Sequence, residues 1–294
     1  MSAGHPVAAR GRIGKHFLAF RHRYGGVRIL EGMRTGALKA LGSIPPVALT
    51  DRPRPRSTIL QLIQLMALAS MPCMAWPDDG PWSASIGATT DYVYRGISQT
   101  YDHGALQLGA NYQSSVGWFA GAWGSNVDPY PRGQSALELD LYTGFRQPLS
   151  DDFNAGLTYT HYLYLDDPRP DHYDYDQFEL SASYLDRLVA SISYQPDLTQ
   201  YSRLGFAERR PSVCYELAGR WQLPMGFALE AGGGYYNLHS LFGVGYWAGN
   251  AGVHYVYRRI SLDLSRFVAD STATRLYDGA SANGAWVLSA LIRF

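Results

Sequence analysis

Lysine is nearly absent from this chain: Lys15 and Lys39 are the only two in 294 residues, and neither lies beyond residue 75. Cysteine is as scarce, limited to Cys73 and Cys214. Two cysteines cannot build a disulfide framework or a zinc site of the Cys-rich kind. If Cys73 is removed with a leader, no internal disulfide remains possible, and Cys214 reads as a packing residue on a strand. Long apolar runs are missing too. The one sustained run, Ile59–Ala69, is interrupted by Gln61 and Gln64 and is too short for a membrane-spanning helix. Nothing has the form of a Gly-rich phosphate loop or a metal-ligand spacing, and no basic–aromatic patch argues for nucleic acid. No cofactor is implied.

What is present falls into two unlike materials joined near residue 75. Residues 1–75 hold eleven basic side chains against Glu31 and Asp51, while residues 76–294 hold fourteen arginines against twenty-three acids. The formal net charge of zero therefore hides a basic head and an acidic body. Within the head, 52–75 has the anatomy of a Sec-type signal peptide. Arg52, Arg54 and Arg56 form the basic region, Ile59–Ala69 the apolar core, and Cys73 and Ala75 the small residues before a cleavage point at Trp76. Pro72 directly before Cys73 argues against a lipoprotein signal. Residues 1–51 lie upstream of any usual signal and read as an unstructured extension or a translation start set too early, with Met33 or a later start more ordinary.

The acidic body, 76–294, carries 21 of the 22 tyrosines, and its apolar residues recur at a period of two, the spacing of strands. The closing stretch Gly284–Phe294 shows it best: Trp286, Leu288, Ala290, Ile292 and Phe294 share one wholly apolar face, and Val287, Ser289, Leu291 and Arg293 the other. The alternation predicts about twelve strands, over Trp82–Arg95, Gly104–Ser114, Val116–Asn126, Ser135–Arg146, Phe153–Tyr164, Asp176–Tyr184, Leu188–Tyr194, Ser212–Gln222, Gly226–Tyr236, Tyr246–Tyr257, Ile260–Val268 and the closing strand. Most approach the 9–11 residues a tilted membrane strand needs. Connections alternate strictly. Long ones are Gly96–His103, Val127–Gln134, Leu165–Tyr175, Gln195–Pro211, Asn237–Gly245 and Ala269–Asn283; the rest are tight turns. Long loops at one end and tight turns at the other are the mark of an up-and-down outer-membrane barrel, not of a Greek-key sandwich. The expected fold is all-β: an antiparallel up-and-down transmembrane β-barrel of about twelve strands in the cell outer membrane. The slightly negative mean hydropathy does not oppose this, since every second residue of such a strand faces the lumen.

The first hairpin carries a family resemblance. Thr90 through Gln99 (TDYVYRGISQ), Ala105-Leu106-Gln107, and Ala120 through Asp128 (AGAWGSNVD) resemble the proteobacterial TorF-type porins, also known as the Gcw_chp hypothetical proteins. The resemblance is specific over 90–128 and continues to the end as strand rhythm. It implies an outer-membrane β-barrel whose partners are the lipid bilayer and lipopolysaccharide, and a terminal aromatic strand that the barrel-insertion machinery reads through Trp286, Leu288, Ala290, Ile292 and Phe294. The family's own function is not defined.

If the apolar faces meet lipid, the pore-lining set is Asp91, Glu138, Asp140, Glu179, Glu216, Glu230 and Asp263 with Arg95, Arg146 and Arg220, joined by His254. An excess of carboxylates favours cations, so the expected function is a narrow passive diffusion channel with weak cation preference. Two alternatives stand beside it: a non-conducting structural or surface-recognition barrel with its acids and arginines cross-paired, and, more distantly, an outer-membrane lipid-modifying enzyme. Ser98, Asp102 and His103 share the first long loop, yet nothing orders them as nucleophile, base and orienter, so no catalytic residue is assigned. Tyr162–Asp176 gathers Asp166, Asp167, Asp171, Asp174, Asp176 and His172, which could hold Ca²⁺ or bridge lipopolysaccharide through divalent cations. It lacks the Gly-spaced pattern of an EF-hand and reads as a solvated acidic loop, so no metal site is assigned. Nothing in the sequence sets the oligomeric state.

Overall fold

The computed structural model describes residues 80–294 except 129–135, 166–172, 202–206, 278–281 and 283. The predicted extension 1–51, the predicted signal peptide 52–75 and the loop residues Asp166, Asp167, Asp171 and His172 lie outside the described residues.

Fourteen strands form among the described residues: β1 (Trp82–Thr89), β2 (Val93–Tyr94), β3 (Ile97–Ser98), β4 (Ala105–Gln113), β5 (Trp118–Val127), β6 (Ala136–Pro148), β7 (Phe153–Leu165), β8 (Tyr175–Tyr184), β9 (Leu188–Tyr201), β10 (Ala207–Gln222), β11 (Phe227–Leu238), β12 (Val244–Tyr257), β13 (Ile260–Ala269) and β14 (Trp286–Arg293). Twelve of them, β1 and β4 through β14, close into one antiparallel barrel, each paired with its neighbours in sequence. The small pair β2–β3 forms a separate hairpin. Two short helices, α1 (His239–Phe242) and α2 (Ser271–Leu276), sit in the long connections.

The period-two pattern explains the wall. On β8, Tyr175, Gln177, Glu179, Ser181 and Ser183 are buried inward while Phe178 and Leu180 stand exposed. The exposed set of β13 includes Leu262, Leu264 and Val268, and the buried set Ser261, Asp263, Ser265 and Phe267. Here the usual rule is inverted: polar side chains are inside and the large apolar ones outside. Tight turns hold the other end. In the three-residue connection Leu185–Arg187, Leu185 and Asp186 both adopt positive φ (51° and 54°) and Arg187 N–H donates to Tyr184 O (3.0 Å), a turn whose twist suits the flanking strands.

The ring closes through β14. Its residues pair with β1 from Ser85↔Arg293 to Thr89↔Ser289 and with β13 from Ile260↔Ile292 to Arg266↔Trp286. Beyond the strand, Phe294 donates its backbone N–H to Ala84 O (2.9 Å) and accepts one from Ala84 (3.2 Å). Trp286, Leu288, Ala290, Ile292 and Phe294 all stand exposed on the outer face.

Two expectations are corrected. The first predicted strand, Trp82–Arg95, ends at Thr89. Tyr92 and Tyr94 do not continue its outer face, because the chain turns into the barrel after Thr90 and Tyr92 is wholly buried. The predicted long loop Gln195–Pro211 is mostly strand, since β9 runs on to Tyr201 and β10 begins at Ala207. Prolines at 196 and 211 look like strand breakers, but both fall at the register shift between Arg210 and Ser212, where a missing N–H leaves no ladder bond unmade.

The wall's dimensions limit what fits inside. Twelve strands about 4.8 Å apart and tilted about 40° put the backbone on a cylinder of radius ~12 Å. With inward side chains taking roughly 5 Å from each wall, the bore holds one two-stranded hairpin and little more.

Candidate functional site

The lumen is the candidate site, and its long-loop half is filled by the chain that follows β1. Asp91 organises this segment. Its Oδ1 accepts from Ser98 Oγ (2.6 Å) and Thr100 Oγ1 (3.0 Å). Thr100 Oγ1 also accepts the backbone N–H of Tyr92 (3.0 Å), and Gln99 N–H donates to Tyr92 O (2.6 Å). The hairpin turns at Arg95 and Gly96, both at positive φ. A side chain on Gly96 would be doubly excluded, because a Cβ there would lie 2.5 Å from the Cβ of Ala248.

The hairpin touches nearly the whole circumference. Tyr92 meets Trp123 of β5 edge-on at 5.5 Å, and Tyr94 lies 6.4 Å from Tyr162 of β7. Arg95 Nη2 donates to Gln177 Oε1 of β8 (3.0 Å), its Nε lies 3.7 Å from Glu216 Oε1 of β10, and its guanidinium sits 5.4 Å from the ring of Tyr236 on β11. Tyr246 of β12 donates to Arg95 O (3.2 Å), and Val93 packs with Phe267 and Val287 of β13 and β14. Only a segment standing inside the barrel can reach walls so far apart. Ile97 joins a buried apolar cluster with Cys214, Tyr236, Leu238, Leu241, Tyr246, Ala248, Ala273 and Ala282, which ties α1 and α2 to the same end. Asp270 caps α2 by accepting from Thr272 N (2.8 Å) and Ala273 N (3.0 Å), and it also accepts from Trp247 N (2.9 Å).

Eight of the ten predicted lining residues stand on inward positions of the wall: Glu138, Asp140 and Arg146 on β6, Glu179 on β8, Glu216 and Arg220 on β10, Glu230 on β11 and Asp263 on β13. Asp91 and Arg95 belong to the in-folded segment instead. Ion pairs join Arg95 to Glu216 and Arg220 to Glu230. Glu138 and Asp140 are different. They lie two residues apart on β6, almost wholly buried, with Tyr92 and Tyr164 beside them and, among the described residues, no guanidinium next to them. Sequence reasoning missed Arg293, which turns inward from β14, and the aromatic filling by Tyr92 and Tyr94. The Arg95-Gly96 dipeptide was the available signal of a turn at that point.

The tempting loop trio is not assembled. Ser98 Oγ donates to Asp91 and accepts the N–H of Asp102 (3.2 Å), while His103 Nδ1 lies against Thr100 O (3.0 Å); none of these contacts joins Ser98 to His103. Of the acidic stretch, Asp174 accepts from Tyr164 N (2.8 Å), and Asp176 contacts His161 Nδ1 (2.8 Å) and accepts from Tyr159 Oη (2.7 Å). Cys214 is buried, its Sγ 3.7 Å from Gln195 Oε1, in keeping with packing.

Residues 78–254, more than half of the chain, match the family described as "Bacterial protein of unknown function (Gcw_chp)". The chain belongs to that family. Membership brings no assigned activity. No curated protein matches the chain. Among solved structures it is similar to the KdgM porin (8% identity over 72% of this chain and 99% of that one, TM-score 0.47). It is also similar to the NanC porin (11%, 72% and 98%, TM-score 0.48) and to the translocator domain of the autotransporter NalP from Neisseria meningitidis (12%, 80% and 94%, TM-score 0.41).

Two measurements test the in-folded hairpin. Gly96→Val places a branched side chain against Ala248 at a positive φ and should dislodge the hairpin, so that Cys214, in a Cys73→Ser background, reacts with maleimide in the folded barrel. An unreactive thiol in this variant would contradict the packing. The second concerns pH. Burial pushes the Asp91 carboxyl above the usual carboxylate range, outweighing the Ser98 and Thr100 hydroxyls that favour its ionised form. A carboxyl raised on folding contributes stability below its unfolded pKa and loses it as pH rises through the folded value. The thermal midpoint of the wild type should therefore rise relative to Asp91→Asn as pH falls from neutral through the carboxylate range; the opposite slope would contradict the burial.

Proposed function

We propose that this chain is an outer-membrane β-barrel that passes small solutes along a narrow, cation-preferring path, with its first long loop folded in as the constriction. The membrane reading is carried by the outer surface. At the tight-turn end a girdle of rings includes Trp82, Tyr112, Trp118, Phe153, Tyr184 and Phe227; Trp82–Tyr112 and Phe153–Tyr184 are in contact at 4.9 and 4.8 Å. At the long-loop end a second girdle includes Phe178, Tyr194, Tyr215, Trp247 and Trp286, all exposed. Between them the outer wall is aliphatic, with Leu108, Leu141, Leu157, Leu180, Ile192, Leu217, Leu229 and Leu288 exposed. Trp286 and Phe294 are eight residues apart, which is about 26 Å along a strand and ~20 Å along the axis of a tilted barrel. That is close to the apolar band of about 25 Å found on outer-membrane barrels. A soluble protein does not expose a continuous apolar belt of this kind. On this reading the long loops face outward toward lipopolysaccharide, and the terminal strand is the segment that the insertion machinery engages.

Cation preference rests on the balance of charge inside. Along the described strands and hairpin, seven carboxylates (Asp91, Glu138, Asp140, Glu179, Glu216, Glu230 and Asp263) face four guanidiniums (Arg95, Arg146, Arg220 and Arg293). The surplus gathers at Glu138 and Asp140, which have no basic neighbour among the described residues. One observation favours the second reading, a non-conducting barrel serving structure or recognition: the hairpin and its apolar cluster fill the long-loop half.

Planar bilayers separate the two. The wild type should show small steps with a cation-biased reversal potential under a salt gradient. Removal of residues 92–99 should raise the conductance, and Glu138→Gln with Asp140→Asn should reduce the cation bias. Bilayers silent for both the wild type and the deletion variant would leave the recognition reading in place of the channel. The membrane assignment has its own test. Leu288→Arg, between the Trp286 girdle and the middle of the outer belt, should cost about 1–3 kcal/mol of stability in liposomes, read from urea titration of the heat-modifiable gel band. An unchanged midpoint would contradict a lipid-facing Leu288.

A further inference from the structure

A second polar group lies on the inner wall nearer the tight-turn end, outside the hairpin and away from Glu138 and Asp140. Glu230 of β11, His254 of β12 and Asp263 of β13 converge there, with one potential ligand atom from each lying within 4.8 Å of the others. His254 and Asp263 are direct cross-strand partners, and Glu230 lies opposite Gly252, the next inward position along β12 from His254. Adjacent strands thus fix all three side chains on rigid backbone. Gly252 keeps the space open, because a Cβ there would meet Ser265 Oγ and the backbone of Leu264.

All three residues are more than nine-tenths buried, and each presents an atom with no hydrogen-bond partner: Glu230 Oε2, His254 Nδ1 and Asp263 Oδ2. His254 Nδ1 and Asp263 Oδ2 are 3.9 Å apart, too far for a hydrogen bond but within the span of two ligands on one ion, each about 2.0–2.2 Å from it. The other oxygen of Asp263 is already held by Ser265 Oγ (2.7 Å), the kind of support that orients a metal ligand. Buried acceptors left unsatisfied are rare in folded proteins and call for an explanation.

We propose that Glu230, His254 and Asp263 form a divalent transition-metal site of the Zn²⁺ class inside the barrel wall. The chemistry of the donors selects the ion. One imidazole nitrogen and two carboxylates suit Zn²⁺, Co²⁺ or Ni²⁺, whereas Ca²⁺ takes six to eight oxygens that this wall does not supply. Charge opposes any cation here, and so weighs on the choice of ligand. Arg220 pairs with Glu230 and, with Arg293, lies within electrostatic reach of His254. The guanidiniums offset the carboxylates, so a hard ion gains little, and nitrogen ligation must carry much of the affinity. Three protein ligands leave the remaining positions to water. Bound there, the ion ties β11, β12 and β13 together beside the β14 seam. This site stands independently of whether the lumen conducts.

The test uses the folded full barrel in detergent, stripped with chelator and titrated with Zn²⁺ by calorimetry and with Co²⁺ by visible absorption. One equivalent should bind and raise the thermal midpoint, with a tenfold or greater loss of affinity in His254→Ala and in the near-isosteric Asp263→Asn; heat-modifiable mobility confirms that both variants fold. Ca²⁺ should not compete. His161→Ala serves as the control, because His161 beside Asp176 is another His–carboxylate pair and its loss should leave the equivalent intact. No binding, binding lost in His161→Ala, or binding equal in wild type and His254→Ala would overturn the assignment.

Discussion

The backbone ladder between β1 and β14 is the constraint on which the rest of the molecule depends. An open twelve-stranded sheet with an aliphatic outer face would leave two edges of unpaired N–H and C=O groups, and in lipid each would cost several kcal/mol. The pairing of Ser85–Thr89 with Ser289–Arg293, extended by the reciprocal bonds of Ala84 and Phe294, removes both edges at once. Closure also separates two environments. It allows Leu288 and Ile292 to point outward while Ser289 and Arg293, on the same strand, point into a polar interior.

That interior is neither an open pipe nor a hydrophobic core. Its long-loop half is packed by the β2–β3 hairpin, whose arginine lies against Gln177, Glu216 and the ring of Tyr236. Its other half is walled by charged side chains on β6, β10, β11 and β13. Charges so poorly exposed persist where they are paired or hydrated. Arg95 with Glu216 and Arg220 with Glu230 are paired; Glu138 with Asp140 is the acidic surplus. On the proposed channel reading, a small cation would meet this acidic surplus behind a segment whose two arms are joined through Asp91 and whose turn is held by Arg95.

Much of this was legible in the sequence because a two-sided wall writes itself as alternation. Strand number, the alternating long and short connections, the outward set of the closing strand and eight inward charged residues all follow from a period of two. Three features did not. Tyr92 and Tyr94 continue the alternation of β1, so nothing periodic distinguishes a strand that runs on along the wall from one that turns back into the bore; only Gly96, the first residue of the predicted long connection, hints at a turn. Prolines at 196 and 211 suggested a loop where the ladder continues across a bulge. The convergence of Glu230, His254 and Asp263 depends on cross-strand register, which alternation along single strands does not contain.

The seam can be tested directly. Thr89 and Ser289 face each other across β1 and β14, with their hydroxyl oxygens 2.9 Å apart. They occupy a non-hydrogen-bonded pair position, where Cα atoms stand about 4.5 Å apart and a disulfide can form. Oxidation of Thr89→Cys with Ser289→Cys in the membrane-inserted protein, followed by non-reducing electrophoresis of the boiled sample, reads the closure. A closed barrel yields an intramolecular cross-link and a compact, faster-migrating chain in nearly every molecule. Free thiols, or links between molecules only, would mean that β1 and β14 are not neighbours and would contradict the account.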